Sequence, residues 1–397
     1  MVKELEKRRI LLCVCGSVAA YKAAELSRAL VKEGAVLRTI MTESAEKFIT
    51  PLTFESLTGE PVYTDMFSRH WFGIEHIELS RFAELVLIAP ASYNTIGKIS
   101  SGIADNLLLS VVAATKAPVL IVPAMNTSMY ENPVLTDNIN YLKSKGYKFI
   151  EPETGELACG EIGKGRFPNV EHVVENIKRI LLGNENLKGC NVLITMGRTI
   201  EPIDLVRYIS NRSSGRVGYW LSVWARRFGA HTFVITGPAE LEPVYDAVVF
   251  RVETVNDMKN GVFSLYDKVD IVIMAAAVAD FRVKNGNKMK LKKERITKLE
   301  LENAPDILKN LGEQKKNQIL VGFSLESENI IDRAKDKMKE KNLDIIVAND
   351  ISTQGSELIN GYIIFKNGII IELKGMHKSD FARLLFEKIY ELKRIGG

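Results

Sequence analysis

With only four cysteines in 397 residues, the sequence has little from which to build a covalent framework. Cys13, Cys15, Cys159 and Cys190 show neither zinc-ligand spacing nor a disulfide pattern, so ordinary apolar cores must hold the chain together. It also lacks the roughly 18 uninterrupted apolar residues of a membrane span, and no membrane association is expected. An excess of either charge is lacking as well, with 53 Lys and Arg against 49 Asp and Glu. A net charge of +4 argues against nucleic acid and leaves anionic small molecules as the expected partners. Met1 to Arg9 is charged and lacks the apolar core of a signal peptide, from which a cytoplasmic location is expected. The G-x-G-x-x-G spacing of dinucleotide binders is missing too, which disfavours an NAD-linked dehydrogenase.

What is present is a pattern that runs twice. The length exceeds one ordinary core and suits two domains of roughly 200 residues. Ile10 to Cys15 is a continuous apolar run ending at Gly16-Ser17, and Tyr21 to Glu33 has helical periodicity closed by Gly34. Val36 to Met41, Leu85 to Ala89 and Val119 to Val122 read as buried strands, with a helix expected over Ala104 to Ala114 and another over Val170 to Leu182. Cys13 and Cys15 read as inward residues of the first strand. Gly183 to Gly189 is polar and bounded by glycines, a linker pattern that places the domain boundary between 186 and 187. Beyond it, Asn191 to Thr195, His231 to Thr236, Val269 to Ala275, Ile319 to Phe323 and Asp344 to Ala348 read as strands. Gly218 to Phe228 and Glu326 to Lys341 read as helices, and Tyr362 to Leu373 as a hairpin turning at Lys366-Asn367-Gly368. The expected fold is α/β: two doubly wound, mainly parallel sheets of flavodoxin or Rossmann type, with ligands at the carboxyl ends of the strands.

In the first half, Gly16-Ser17 at a helix N-terminus favours a phosphate. Thr42 to Ser44, Ala89 to Thr95 and Pro123 to Asn126 add hydroxyls and amides at other strand ends. Ala89 to Leu108, Pro123 to Pro133 and Gly155 to Arg166 resemble the signatures of the flavin-containing cysteine decarboxylases, in particular phosphopantothenoylcysteine decarboxylase, and the resemblance spans most of residues 8 to 180. It implies FMN, held by Gly16, Ser17, Val18, Thr42, Ser44, Ser92, Asn94, Thr95 and Met125. It also implies oxidation of the substrate's cysteine thiol to a thioaldehyde, so that the electrons left by departing carbon dioxide are held as an enethiolate. His76 would handle the proton of the oxidation, an imidazole being suited to this near neutrality. Asn126 would donate to the substrate carboxylate. Cys159, among glycines 155, 160, 163 and 165, would be the acid on a moving lid that protonates the enethiolate.

In the second half, Ile194 to Asp204 and Val206 to Arg216 form a polar, glycine-punctuated run in which Ser213, Ser214 and Gly215 offer backbone amides to a phosphate. With Ala275 to Arg282, Pro305 to Leu308, Gly322-Phe323 and Lys341 to Asp344, this run resembles phosphopantothenate–cysteine ligase over nearly all of residues 190 to 390. The family more often has Ala-Gly-Gly where this chain has Met196-Gly197-Arg198. The resemblance implies activation of the 4'-phosphopantothenate carboxylate as an acyl nucleotide, then attack by the amine of cysteine. Asn211 would stabilise that intermediate. Met274, Ala275, Ala276, Asp280, Lys290, Pro305, Asp306, Ile307, Leu308, Phe323, Lys337 and Lys341 would bind the nucleotide, CTP or ATP, and the bifunctional arrangement resembles the users of CTP. Lys288 is an alternative register for Lys290, and Asp280 would meet the ribose or an accompanying Mg2+.

A decarboxylase with a degenerate second half is disfavoured by the joint presence of Asn211, Asp280 and Lys290. A scaffold that only keeps the fold is disfavoured by His76 and Cys159. The resemblance further implies a homo-oligomer, with trimers of the flavin domain combined with dimers of the ligase domain.

Overall fold

The computed structural model describes residues 3–67, 74–284, 298–326 and 328–396. The chain forms two compact units, Met1–Leu182 and Gly183–Gly397.

In chain order the first unit comprises β1 (Arg9–Val14), α1 (Ala20–Lys32), β2 (Val36–Met41), α2 (Glu43–Glu46), α3 (Pro51–Thr58), β3 (Val62–Tyr63), α4 (Glu75–Phe82), β4 (Leu85–Ala91), α5 (Tyr93–Ser100), α6 (Leu107–Ala114), β5 (Val119–Pro123), α7 (Thr127–Tyr130), α8 (Pro133–Ser144), β6 (Lys148–Phe149), β7 (Glu153–Glu156), β8 (Ile162–Arg166) and α9 (Val170–Leu182). Strands β3-β2-β1-β4-β5-β6 make one parallel sheet, and β7 and β8 form a separate antiparallel hairpin. The continuous apolar runs reflect a sheet covered on both faces. Ile10, Leu12 and Val14 of β1 join a core with Ala23, Leu26 and Leu30 of α1, whereas Leu11, Cys13 and Cys15 join another with Ile96, Leu108 and Ile139. The two thiols are thus core groups, and burial pushes both up, Cys13 well up. The helix expected from Ala104 begins at Leu107, because the Asn106 side chain accepts from the Leu109 amide and caps it there.

The second unit comprises β9 (Asn191–Met196), β10 (Ile200–Pro202), β11 (Tyr208–Ser210), α10 (Arg216–Arg227), β12 (His231–Thr236), β13 (Val248–Arg251), α11 (Val255–Tyr266), β14 (Ile271–Met274), β15 (Phe281–Val283), β16 (Leu301–Asn303), α12 (Ile307–Glu313), β17 (Ile319–Glu326), α13 (Ile330–Glu340), β18 (Ile345–Asp350), β19 (Leu358–Phe365), β20 (Ile370–His377) and α14 (Lys378–Gly396). Its sheet runs β13-β12-β9-β14-β17-β18-β19-β20, parallel up to β18 and antiparallel through the last hairpin. Gly368 turns that hairpin at φ 90°. On one face, Phe228, which caps the end of α10, packs between Trp224 of α10 and Phe386 of α14.

The polar stretch expected to act as a linker is part of this second core. Leu187 is fully buried, and the Asn184 and Leu187 amides donate to Arg227 and Phe228 carbonyls at 2.8 Å each. Its composition hid one apolar anchor. The division between the units falls between Leu182 and Gly183, ahead of the expected border.

Candidate active sites

In each parallel sheet the crossovers reverse direction beside the first strand of the unit, and ligands collect where the following loops part. The first unit has such a reversal between β1 and β4, and a cavity of about 510 Å³ lies over it. Gly16, Thr42, Ser44, Ser92, Asn94 and Thr95 line it. Gly16 is required by space, since a Cβ would stand 2.5 Å from the Ser44 Cβ. The Ser92 and Thr42 hydroxyls cap α5 and α2, accepting from Thr95 and Ala45 amides at 3.3 and 3.2 Å, and so set the angle at which those loops leave the sheet. Thr95 is less available than its motif implied, because its hydroxyl is buried against Cys15 Sγ at 3.3 Å. Ser17, Val18 and Met125 are not among the lining residues; Ser17 instead donates to the Ala124 carbonyl at 3.4 Å and Val18 is exposed. Thr64, Lys98 and Asn106, which no sequence reading singled out, complete the wall. Asn106 had a signal, its place as a helix cap.

A second cluster stands apart from that lining. Asn126, the N-cap of α7, holds its amide fixed by accepting the Ser128 N–H on Oδ1 at 2.8 Å, so the NH2 end faces the β7–β8 hairpin. Cys159 sits exposed at the hairpin tip, its Sγ 3.5 Å from Asn126 Nδ2. The hairpin is docked by close backbone approach. Met125 N–H donates to Gly165 O at 3.1 Å, and a Cβ on Gly165 would overlap the Met125 carbonyl oxygen. Gly165→Ala is therefore expected to displace the hairpin tip that carries Cys159, and unchanged hydrogen-exchange protection of the β7–β8 hairpin in that variant would contradict this docking role. His76 is half-buried in the first turn of α4 and does not line the cavity.

In the second unit the reversal lies between β9 and β14, and the cleft there is larger, about 1060 Å³. It brings together Asn211, Asp280, Phe323, Lys337 and Lys341, with Met274 to Ala276 on one wall and Pro305 to Leu308 on another. Lys290 and Lys288 lie outside the described residues. The β9 loop is built from backbone contact: Gly197 has φ 80°, and a Cβ would stand 2.7 Å from the Gly237 and Pro238 oxygens. The departure at Met196 and Arg198 has a structural role. Met196 is buried against Gly218, and Arg198 Nη1 donates to Ser213 O at 2.8 Å, steadying the Ser213 to Gly215 turn that starts α10. Two buried threonines, missed in the sequence, anchor the loop after β14. Thr195 accepts from Ala276 N–H at 3.1 Å and Thr199 from Ala279 N–H at 2.9 Å. Asn211 is not idle, since its Nδ2 donates to Val278 O at 3.0 Å.

The lysines are organised. Lys337 donates to Phe323 O at 3.2 Å, and Lys341 pairs with Asp306 at 2.6 Å. Asp306 also caps α12 through the Lys309 amide. Burial works to raise its carboxyl, yet the Lys341 and Lys309 hydrogen bonds and the nearby Lys337 charge outweigh it and hold the group below the usual range. Its stabilising contribution is thus present above the ordinary aspartate range and lost as pH falls through the depressed value. Ser324 Oγ and Asn349 Oδ1, in residues that line the cleft, are buried without a partner among the described residues. Neither carried a motif signal. Lys378, nearly buried, also lines the cleft and donates to Thr353 O at 3.4 Å; burial pushes it down.

Two doubly wound units, each with a small-molecule cleft at the reversal point of its sheet, define a two-domain α/β enzyme. A family described as Flavoprotein matches residues 2–182, and one described as DNA/pantothenate metabolism flavoprotein C-terminal domain matches residues 187–392. The coenzyme A biosynthesis bifunctional protein CoaBC of Borreliella burgdorferi is 41% identical, covering 97% of this chain and 100% of its own. That of Bacillus subtilis is 43% identical, covering 99% of each. A solved C-terminal domain of such a protein is 37% identical over 53% of this chain and 99% of its own, with a TM-score of 0.47. The chain belongs to the CoaBC family of bifunctional coenzyme A biosynthesis enzymes, with a flavoprotein decarboxylase domain and a ligase domain. Among the described residues no helix is long and apolar enough to cross a membrane.

Proposed function

We propose that the second unit joins cysteine to 4'-phosphopantothenate at the expense of CTP, and that the first converts the resulting phosphopantothenoylcysteine to 4'-phosphopantetheine with FMN. The observation that carries the ligase reading is the cleft in which Asn211, Asp280, Phe323, Lys337 and Lys341 meet. A carboxylate oxygen of 4'-phosphopantothenate attacks the α-phosphorus of CTP and pyrophosphate leaves. The cysteine amine then attacks the acyl carbon and CMP leaves. Lys337 and Lys341 face the charge of the triphosphate, and the Ser213 to Gly215 turn offers amides to the substrate phosphate. Among the described residues no group of three or more His, Cys, Asp or Glu is suited to a metal. Mg2+ would come with the triphosphate and neutralise its charge, and the exposed Asp280 carboxylate lining the cleft is the side chain that would meet it.

In the first unit, Gly16 gives the backbone approach, and Thr42, Ser44, Ser92 and Asn94 supply the polar wall that fits FMN. FMN supplies the two-electron acceptor for the thiol and the donor that returns the pair. Of the chain's own residues, His76 would take the proton of the oxidation, Asn126 would hold the carboxylate, and Cys159 would give a proton to the enethiolate. The same reading includes a homo-oligomer, with trimers of this domain combined with dimers of the other. The setting is the cytoplasm.

Steady-state assays with each nucleotide test the proposal. Pyrophosphate release should require both CTP and 4'-phosphopantothenate, and ATP should substitute poorly. An equal rate with ATP would reject the nucleotide assignment, and a colourless purified protein would reject the flavin.

A further inference from the structure

One carboxylate near the decarboxylase residues belongs to no role given above. Glu161 closes the turn at the hairpin tip, where its carbonyl accepts the Leu157 amide at 2.8 Å. Its side chain reaches back, and Oε2 accepts from Asn126 Nδ2 at 2.9 Å. The Cys159 thiol points at the same oxygen from 3.7 Å. Asn126 cannot turn away without losing the Ser128 N–H held on its Oδ1. Its two amide hydrogens therefore face Glu161 and Cys159, and one of them already serves a carboxylate.

We propose that Glu161 is an internal stand-in for the substrate carboxylate. It covers the Asn126 donor while the site is empty and is displaced when phosphopantothenoylcysteine binds, so its charge limits affinity for the carboxylated substrate. The inference rests on the reading of Asn126 as the carboxylate-binding residue. The chemistry is an exchange of like for like. A donor suited to a substrate carboxylate is equally suited to an internal one, and two anions cannot share it without repulsion. Once carbon dioxide has left, the product has no group to compete, and Glu161 returns to Asn126. The residue acts through Asn126 and is a positioning residue.

Glu161→Gln keeps size and a hydrogen-bond acceptor but removes the charge. In the full-length, flavin-loaded protein supplied directly with phosphopantothenoylcysteine, KM should fall by up to about fivefold, the range for a solvent-exposed charge pair. Inhibition by 4'-phosphopantetheine, which lacks the carboxylate, should be unchanged. Glu161→Asp, which keeps the charge, should return KM toward the parent value. A KM that stays the same or rises in Glu161→Gln overturns the proposal, as does a parallel shift in product inhibition, the sign of a disturbed hairpin. Asn126→Ala separates the two levels. If it raises KM while Glu161→Gln does not lower it, Asn126 keeps its role and only the stand-in fails. If Asn126→Ala leaves KM untouched, the underlying reading of Asn126 fails and this proposal falls with it.

Discussion

Cys159→Ser is expected to lower phosphopantetheine formation by about 10²- to 10⁴-fold, the usual worth of a positioned general acid, while the protein keeps its flavin. The thiol sits at the tip of the β7–β8 hairpin, outside the lining of the hydroxyl-rich cavity, so cofactor binding should not notice the exchange. A thiol is a far stronger acid than an alcohol, so a serine hydroxyl cannot take over the proton donation. In the proposed sequence, oxidation and loss of carbon dioxide precede the step given to Cys159. They should proceed once per site, leaving the decarboxylated, still oxidised product to accumulate. Mass spectrometry of quenched reactions reads this directly. Normal turnover by the variant would remove Cys159 from the acid role, and failure to release carbon dioxide would place it earlier in the sequence.

Asn211→Asp should separate the two ligase steps and reduce amide formation by about 10²- to 10³-fold, as loss of a preorganised donor does. In the structure the Asn211 NH2 faces the Ala277 and Val278 carbonyls at 3.4 and 3.0 Å. A carboxylate there would oppose those oxygens, and it would bring negative charge toward an acyl nucleotide whose phosphate is already anionic. Pyrophosphate should then appear for about one turnover and the acyl cytidylate build up even with cysteine present. Lys341→Gln should behave otherwise, because it withdraws positive charge from the cleft proposed for the triphosphate and leaves Asp306 without its ion-pair partner. The first step should suffer and no intermediate should be trapped. Rapid quench with labelled CTP distinguishes the patterns; parent-like kinetics in both variants would remove these residues from the reaction.

The strands and long helices were largely legible because their signals are local. Val36 to Met41, His231 to Thr236 and Val170 to Leu182 have the same limits in sequence and structure. Misplaced ends have local causes too. The helix expected from Glu326 begins at Ile330, and Glu326 itself belongs to β17, where it pairs with Asp350 of β18. The hairpin holding Cys159 was read as a glycine-rich lid without strands. Glycine weakens strand propensity, and β7 and β8 exist through mutual pairing and docking on Met125. Leu187 was hidden in a polar run whose composition said linker.

The sequence by itself determined the repeated strand, loop and helix plan, the faces each element buries, and which loops carry hydroxyls, amides and lysines, since periodicity and capping act over a few residues. Tertiary structure alone decided which loops meet. The crossover order set β1 beside β4 and β9 beside β14, drawing Asn211 into one cleft with Lys341. The docked hairpin set Glu161 on Asn126 while His76 stayed outside the cavity lining. Contacts between residues far apart in the chain follow from strand order and helix packing, and no local propensity encodes them.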